Sequence, residues 1–490
     1  MAENGLLKEQ ISLQSEKISS LEFQLAELKR MVFGSKSERY VPVNPGQLQL
    51  PLLEVEPIKQ PEPEQQVIVR KKPSPAKTEG LPVRSPIPAH IPRKTIEIIP
   101  EGIDLEKSKK IGETITEYLE YEPGRIFVKC IIRPKYKSTE DEKIHIADLP
   151  SLPIPKSNVG PGFLAHILVS KFVDHLPLFR QRKQFLREGV DIAESTINDW
   201  VGKGSVLLRP LYDLLMQKLK QCGYLQADET PIPVLSRDKP GSTHKGYHWG
   251  YFSPLEKISG FDYQKSRGME GPDIFLKGFK GYLQTDGYAA YDHFQSREIT
   301  LVGCMAHARR KFEQCLEHNE ELAGHAMGLF GKLYAIERKA RDQGMGQDAR
   351  LSLRTEESIP VLKELKTWLT AQIALVLPKS NIGMAIAYSL NLWNRFEQYT
   401  TNGALEIDNN LIENKMRPIA LGRKNYLFAG SHEGARNAAM IYSFFATCQL
   451  NDVNPEEWLT DVISRIGEYN IQNLEELLPQ NWKAAHMYQA

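Results

Sequence analysis

From Leu7 to Val32 apolar residues recur at alternating steps of three and four (Leu7, Ile11, Ile18, Leu21, Leu25, Leu28, Val32), with Gln14 the one interruption. This pattern is the seam of a coiled coil roughly 3.5 heptads long. It predicts self-association through a helix within residues 1–40, although such a stripe also suits packing on the chain's own domain. Phe33 to Tyr40 (F-G-S-K-S-E-R-Y) supplies a polar stop with glycine at the helix end. The pattern then dissolves: residues 41–100 hold thirteen of the thirty-one prolines, with Glu, Gln and Lys between them. Too little apolar surface is available there to order a core, so the stretch reads as a semi-extended linker. Alternation of period two appears in T-I-T-E-Y-L-E-Y and I-F-V-K-C-I-I, separated by E-P-G-R, and predicts a small β module over 101–150.

Helical spacing takes over after Pro161. F-L-A-H-I-L-V-S-K-F-V-D-H-L and L-F-R-Q-R-K-Q-F-L-R-E-G predict two short helices, with a glycine turn at Gly189 and a new helix N-capped by Ser195. Within residues 151–222 this order resembles a helix-turn-helix, an arrangement also found in proteins that never touch DNA. The basic cluster Arg180, Arg182, Lys183 and Arg187 favours the DNA reading. From Gly223 the chain alternates again, with strands at Y-L-Q-A-D, G-Y-H-W-G-Y-F and K-I-S-G-F-D-Y, a helix around Asp273 to Lys277, a strand ending at Asp286, a short helix, and the strand I-T-L-V-G-C before a helix at A-H-A-R-R-K-F. Three antiparallel strands, a helix, a strand, a helix and a fifth strand give an α/β core of ribonuclease-H-like order over 223–316. Residues 317–400 carry no strand pattern and predict an all-helical insertion. The core resumes over 401–430, and helices fill 431–490.

Composition changes this picture little: 41% hydrophobic and 25% charged residues over 490 positions describe a globular chain of several domains. There is no apolar run of about 18 residues and no charged-then-apolar leader, so a cytoplasmic protein without a membrane is expected. Cys130, Cys222, Cys304, Cys315 and Cys448 are scattered, with no C-x-x-C pair; reduced thiols are expected and a four-cysteine zinc site is not. With a net charge of +1, nucleic-acid binding would have to come from local basic patches.

The candidate chemistry lies in two matched stretches, G-Y-L-Q-A-D-E-T and G-Y-L-Q-T-D-G-Y, whose carboxylates Asp228 and Asp286 each close a short apolar run. Singly, each would read as a turn residue at a strand end. Together they deliver two hard oxygen ligands to one sheet edge, half of what two divalent cations need for phosphodiester chemistry. The third ligand should lie on a helix after the fifth strand. Glu413 fits, on one helical face with Asn410 and Arg417, while Ile412, Met416 and Ile419 form the face that would dock. The plainer reading of Glu413 is an i, i+4 pair with Arg417, worth about 0.3–0.5 kcal/mol. Lys415, Arg417, Arg423 and Lys424 around it, and Arg309, Arg310 and Lys311 upstream, suit phosphates or a solvated face.

These strings, with F-G-S-K-S-E-R, P-A-H-I-P-R, D-H-L-P-L-F-R-Q, G-C-M-A-H-A-R-R-K-F and D-N-N-L-I-E-N-K-M-R-P-I-A-L-G-R-K-N, resemble the DDE transposases of bacterial insertion sequence 66 over almost the whole chain. The resemblance implies a triad of Asp228, Asp286 and Glu413 holding two Mg²⁺ or Mn²⁺ ions, with the helical insertion between its second and third members. It implies cleavage at transposon ends by water and attack of the freed 3′-hydroxyl on target DNA; the coiled coil predicts a homo-oligomer, and helper proteins of the same element are candidate partners. Cys304 and His307 match a C-x-x-H spacing of the family and are candidate support for the site, with Asn410. From chemistry alone Cys304 reads as a small buried residue and His307 as a polar group at a helix start. One departure stands out. The small module lacks the cysteine pairs that hold zinc in the family, and Cys130 alone cannot replace them, so zinc is not expected. A structure-selective nuclease and a DNA-binding protein that no longer cuts are the rival readings.

Overall fold

The computed structural model describes residues 152–155, 157–236, 241–296 and 298–482, with a few positions between 124 and 146. The expected coiled coil, the Pro-rich linker and most of the small module lie outside the described residues. The chain divides into two compact units, Met1–Phe127 and Val128–Ala490, and the account below concerns the second. Near its start β1 (Lys135–Lys137) and β2 (Ile144–Ile146) pair antiparallel.

Three helices lead into the sheet: α1 (Pro161–Phe172), α2 (Leu178–Arg187) and α3 (Glu194–Gln221). Proline opens α1, where its missing N–H costs nothing. Gly189, at φ 84°, makes the turn after α2. One expectation changes here. Ala193, not Ser195, is the N-cap of α3, with no side-chain cap, and Ser195 lies inside the helix. The helix runs for 28 residues and buries a long stripe (Ile197, Trp200, Val201, Leu208, Leu211, Leu215, Leu219) that needs a matching length of partner surface.

A mixed sheet of five strands follows, in the order β5-β4-β3-β6-β7. β3 (Tyr224–Leu235), β4 (Thr243–Ser253) and β5 (Ile258–Gln264) are antiparallel neighbours. After the helix α4 (Glu270–Leu276), β6 (Gly281–Thr285) joins β3 in parallel. A 3₁₀ turn (Ala289–Phe294) then leads to β7 (Ile299–Gly303), parallel to β6. Helix α5 (Met305–Glu313) leaves the sheet for a helical stretch: α6 (Glu320–Asp342), α7 (Gln347–Leu353), α8 (Ile359–Gln372), α9 (Asn381–Asn391) and α10 (Trp393–Glu397). The chain returns as α11 (Asn410–Tyr426), α12 (His432–Leu450) and α13 (Pro455–Arg465).

β5 is an edge strand, and its outward backbone groups would be open to unwanted pairing. Side chains of α12 and α3 take them up. Ser443 Oγ accepts the Phe261 N–H at 2.7 Å, Thr447 Oγ1 accepts the Ser259 N–H at 3.2 Å, and Tyr212 donates to the Phe261 carbonyl at 2.8 Å. Ser443 is fully buried. Ser443→Ala is therefore expected to leave an unpaired buried N–H and to lower unfolding free energy by about 1–3 kcal/mol in a urea titration.

The helical stretch shares one apolar core with the sheet: Phe330, Leu333, Leu365, Leu369, Ile386 and Phe396 pack in the same cluster as Tyr224 of β3 and Val302 of β7. A buried ion network joins it to the segment before α11. Glu337 on α6 receives Arg354 Nε and Nη2 at 2.7 and 2.9 Å and Arg350 Nε and Nη2 at 3.0 and 2.9 Å. Arg350 also reaches both carboxylate oxygens of Glu406, at 2.9 and 2.8 Å. Arg354 spends its remaining N–H groups on the carbonyls of Tyr399, Asn402 and Leu405. All five of its donors are satisfied.

Candidate active site

Asp228 does not end its strand, as its sequence context led us to expect. It sits inside β3, opposite Gly250 of β4, because E-T-P-I-P-V-L continues the strand for seven more residues. The prolines are tolerated because alternate backbone groups face away from β4: Pro233 O accepts the Ala429 N–H at 2.8 Å, and the Leu235 N–H reaches Ala429 O at 2.9 Å. The strand end that matters is the limit of pairing with β6, which stops at Gln226 and Gln284. Beyond it Asp228 and Asp286 lie on the same face, two residues past their paired glutamines.

Asp286 follows β6 directly. One carboxylate oxygen accepts the Tyr288 N–H at 2.8 Å, and its carbonyl accepts the Tyr388 hydroxyl at 2.5 Å. The turn needs Gly287, at φ 89°, where a Cβ would stand 2.5 Å from Leu392 Cδ1. Glu413 lies in the first turn of α11, whose buried face is the one read from the sequence: Ile412, Met416 and Ile419. A Cβ on Gly250 would come within 2.8 Å of Met416 Sδ, so α11 packs directly on bare β4 backbone opposite Asp228.

The charges press on one another. Burial pushes the Asp228 carboxyl well above the usual carboxylate range, and the charges of Glu229, Asp286 and Glu413 push it further. Glu413 Oε1 is buried without a hydrogen-bond partner. His307 Nδ1 lies 3.7 Å from that oxygen, and Arg310 Nη2 lies 3.8 Å from Glu413 Oε2. Cys304 Sγ accepts the Asn409 N–H at 3.4 Å and lies 3.3 Å from His307 Nδ1. The donor atoms of Cys304, His307 and Glu413 all fall within 4.8 Å of one another. Burial pushes the Cys304 thiol up to about 12, so it stays protonated rather than serving as a ready thiolate ligand. Cys222, Cys304 and Cys448 are buried thiols outside any disulfide.

Sequence reasoning passed over Glu229, although it stands next to Asp228. Its carboxyl is raised by burial and held in check by Arg267, which donates Nε and Nη2 at 2.8 and 2.5 Å and lies 4.0 Å over the Tyr288 ring. No spacing links 229 to 267; only the β3–β4–β5 meander brings them together. Asn410 opens α11, its N–H taken by Asp408 Oδ1 at 3.1 Å.

The basic candidates divide. Arg309 and Lys311 are exposed and lie over the rings of Tyr334 and Tyr388, Arg310 faces Glu413, and Arg417 and Lys424 are exposed on α11. Arg423 is committed elsewhere, donating to the Pro231 carbonyl and lying 3.4 Å from Thr230 Oγ1. Lys415 is half-buried beside Gln449, and burial lowers its pKa. On α2, Arg180 and Lys183 flank the exposed ring of Phe179, and Arg187 is exposed at the helix end. Arg182 instead clamps the turn, donating to the Ile192 carbonyl and to Asp191, both at 2.9 Å.

The sequence model described as "Transposase IS66 family" matches residues 156–437, more than half of the chain. The chain belongs to the IS66 family of transposases. Two further models match outside that span, "Transposase C of IS166 homeodomain" over 20–96 and "IS66 C-terminal element" over 443–480. Similar proteins from Sinorhizobium fredii include the uncharacterized protein y4hP, 32% identical over 96% of this chain and 89% of that one. Another is the uncharacterized protein y4jD, 31% identical over 99% and 98%. IS66 membership carries a transposase role, and DDE transposases as a family use divalent metals. Among the described residues no helix is long and apolar enough to cross a membrane.

Proposed function

We propose that this IS66 transposase cuts and joins DNA through Asp228, Asp286 and Glu413 on a ribonuclease-H-like core. The observation that carries the reading is the strand order β5-β4-β3-β6-β7 with acidic groups on β3, just past β6 and on α11, whose charges converge on Asp228. The donor set fits hard divalent cations. The charges of Asp286 and Glu413 bear on the buried Asp228, and Glu413 Oε1 is buried without a hydrogen-bond partner, so added positive charge would be favoured there. These residues would hold Mg²⁺ or Mn²⁺, two such ions supplying charge neutralisation at the attacking and leaving oxygens. Tyr388 and the Gly287 turn fix Asp286, and His307 and Arg310 lie 3.7 and 3.8 Å from the Glu413 carboxylate oxygens. Arg309, Lys311, Arg417 and Lys424, all exposed, would meet phosphates of double-stranded DNA, and the exposed face of α2 with Arg180, Lys183 and Arg187 would be a second DNA contact. Self-association through residues 1–40 belongs to the same reading.

A nuclease of the same fold would cut without joining. Supplying pre-cut element ends with Mg²⁺ and a supercoiled target separates the two: strand transfer is the expected result, and hydrolysis with no joined product would replace the transposase mechanism by the nuclease one.

A further inference from the structure

The repeated tetrapeptide Gly-Tyr-Leu-Gln precedes each aspartate by one residue, and the two copies pair in register, Tyr224 with Tyr282 and Gln226 with Gln284. Both glutamines are fully buried, which is costly for an amide unless its hydrogen bonds are made. They are made, and three of them leave the sheet. Gln226 Nε2 donates to the Asp408 carbonyl at 3.0 Å and to Gln284 Oε1 at 2.9 Å, while Gln226 Oε1 accepts the Ile412 N–H at 3.2 Å. Gln284 Nε2 donates to the carbonyls of Glu406 and Gly303, at 2.9 and 3.1 Å. The Tyr224 hydroxyl donates to Gln284 Oε1 and accepts the Glu406 N–H at 3.2 Å.

Two strands thus grip the run from Glu406 to Ile412, and Glu413 is the next residue. The Ile412 N–H lies in the first turn of α11 and is shared between the Asn409 carbonyl at 3.1 Å and Gln226 Oε1, so Gln226 adds a contact from the sheet to the start of the helix. Because each glutamine lies two residues before its aspartate, the same strand segments that carry Asp228 and Asp286 also locate the third carboxylate. We infer that Gln226, Gln284 and Tyr224 form a clasp that sets the distance of Glu413 from the two aspartates, Gln226 acting as the principal positioning residue. The inference rests on the proposed triad. Satisfied polar networks of this kind specify one arrangement where apolar packing would allow sliding.

The test uses the full chain and duplex DNA carrying the ends of its own element, at a temperature where each variant is folded. Gln226→Leu is expected to lower kcat for cleavage by about 10- to 100-fold, with a rise of similar order in the Mn²⁺ concentration giving half-maximal rate. KM for the DNA should not change, since no DNA contact is removed. Tyr224→Phe, which deletes one hydroxyl and keeps the ring, should move both quantities in the same direction by less, and it carries the test if Gln226→Leu does not fold. Unchanged kcat and Mn²⁺ requirement in the folded variants, beside an inactive Glu413→Gln, would overturn the clasp and leave the triad standing. Wild-type cleavage by Glu413→Gln would overturn the triad and the clasp together.

Discussion

Asp228→Asn is expected to abolish metal-dependent cleavage of element ends while making the metal-free protein more resistant to heat. The loss follows from the proposed role. A carboxylate that holds a cation at the reacting phosphate supports several kcal/mol of charge stabilisation, and at 1.36 kcal/mol per tenfold this is a fall of about a thousandfold or more. The gain in stability follows from the same geometry. Burial and the charges of Glu229, Asp286 and Glu413 hold the Asp228 carboxyl well above its ordinary range, so the folded protein without metal resists the charge it must carry. The sign is that of a raised carboxyl: its contribution to stability is present below the unfolded pKa of about 3.9 and is lost as pH rises through the folded value. Melting temperatures of the metal-free protein should therefore fall from mildly acidic pH upward, and Asp228→Asn should flatten that fall. Divalent cation should restore the wild type and not the variant. Retained cleavage by Asp228→Asn would remove Asp228 from the site, and a lower melting temperature at neutral pH would make it a structural partner instead. A group that costs stability where it is needed for chemistry is a common mark of function.

Much of this site was legible because its parts are local. The repeated Gly-Tyr-Leu-Gln and the period-two runs located the strands, and the three-four spacing of Ile412, Met416 and Ile419 located the docking face of α11. What was not legible depends on partners far apart in sequence. Asp228 was expected at a strand end because it closes a short apolar run, yet β3 continues past it through prolines that have no ladder bond to lose. Glu229 meets Arg267 across two strands, and Arg423 and Arg182 are drawn to backbone carbonyls that no composition argument reveals. The glutamines were visible as part of the repeat. Their work was hidden because their partners lie between Glu406 and Ile412, beyond the helical insertion.

Arg354→Leu is expected to cost about 3–5 kcal/mol of unfolding free energy, the usual penalty for removing one member of a buried ion pair. Arg354 is fully buried, and its loss leaves the carbonyls of Tyr399, Asn402 and Leu405 without this donor and Glu337 with Arg350 alone. The exposed pair Lys339–Glu357 on the same helical stretch is the internal control: Lys339→Ala should cost no more than about 1 kcal/mol. Acid should separate the two further. Burial alone would raise the Glu337 carboxyl, but the guanidiniums of Arg354 and Arg350 outweigh it and hold the group below its ordinary value. A depressed carboxyl contributes stability above its unfolded pKa of about 4.3 and loses it as pH falls through the folded value. Wild-type protein should therefore weaken in acid through this group, and Arg354→Leu should show less of that dependence. Urea titrations at neutral and acidic pH read both effects. Equal costs for Arg354→Leu and Lys339→Ala would mean that the network does not hold the insertion to the core. A large cost is expected to extend to catalysis, because the segment from Tyr399 to Leu405 that Arg354 grips runs directly into the residues held by Gln226 and Gln284, and from there to Glu413.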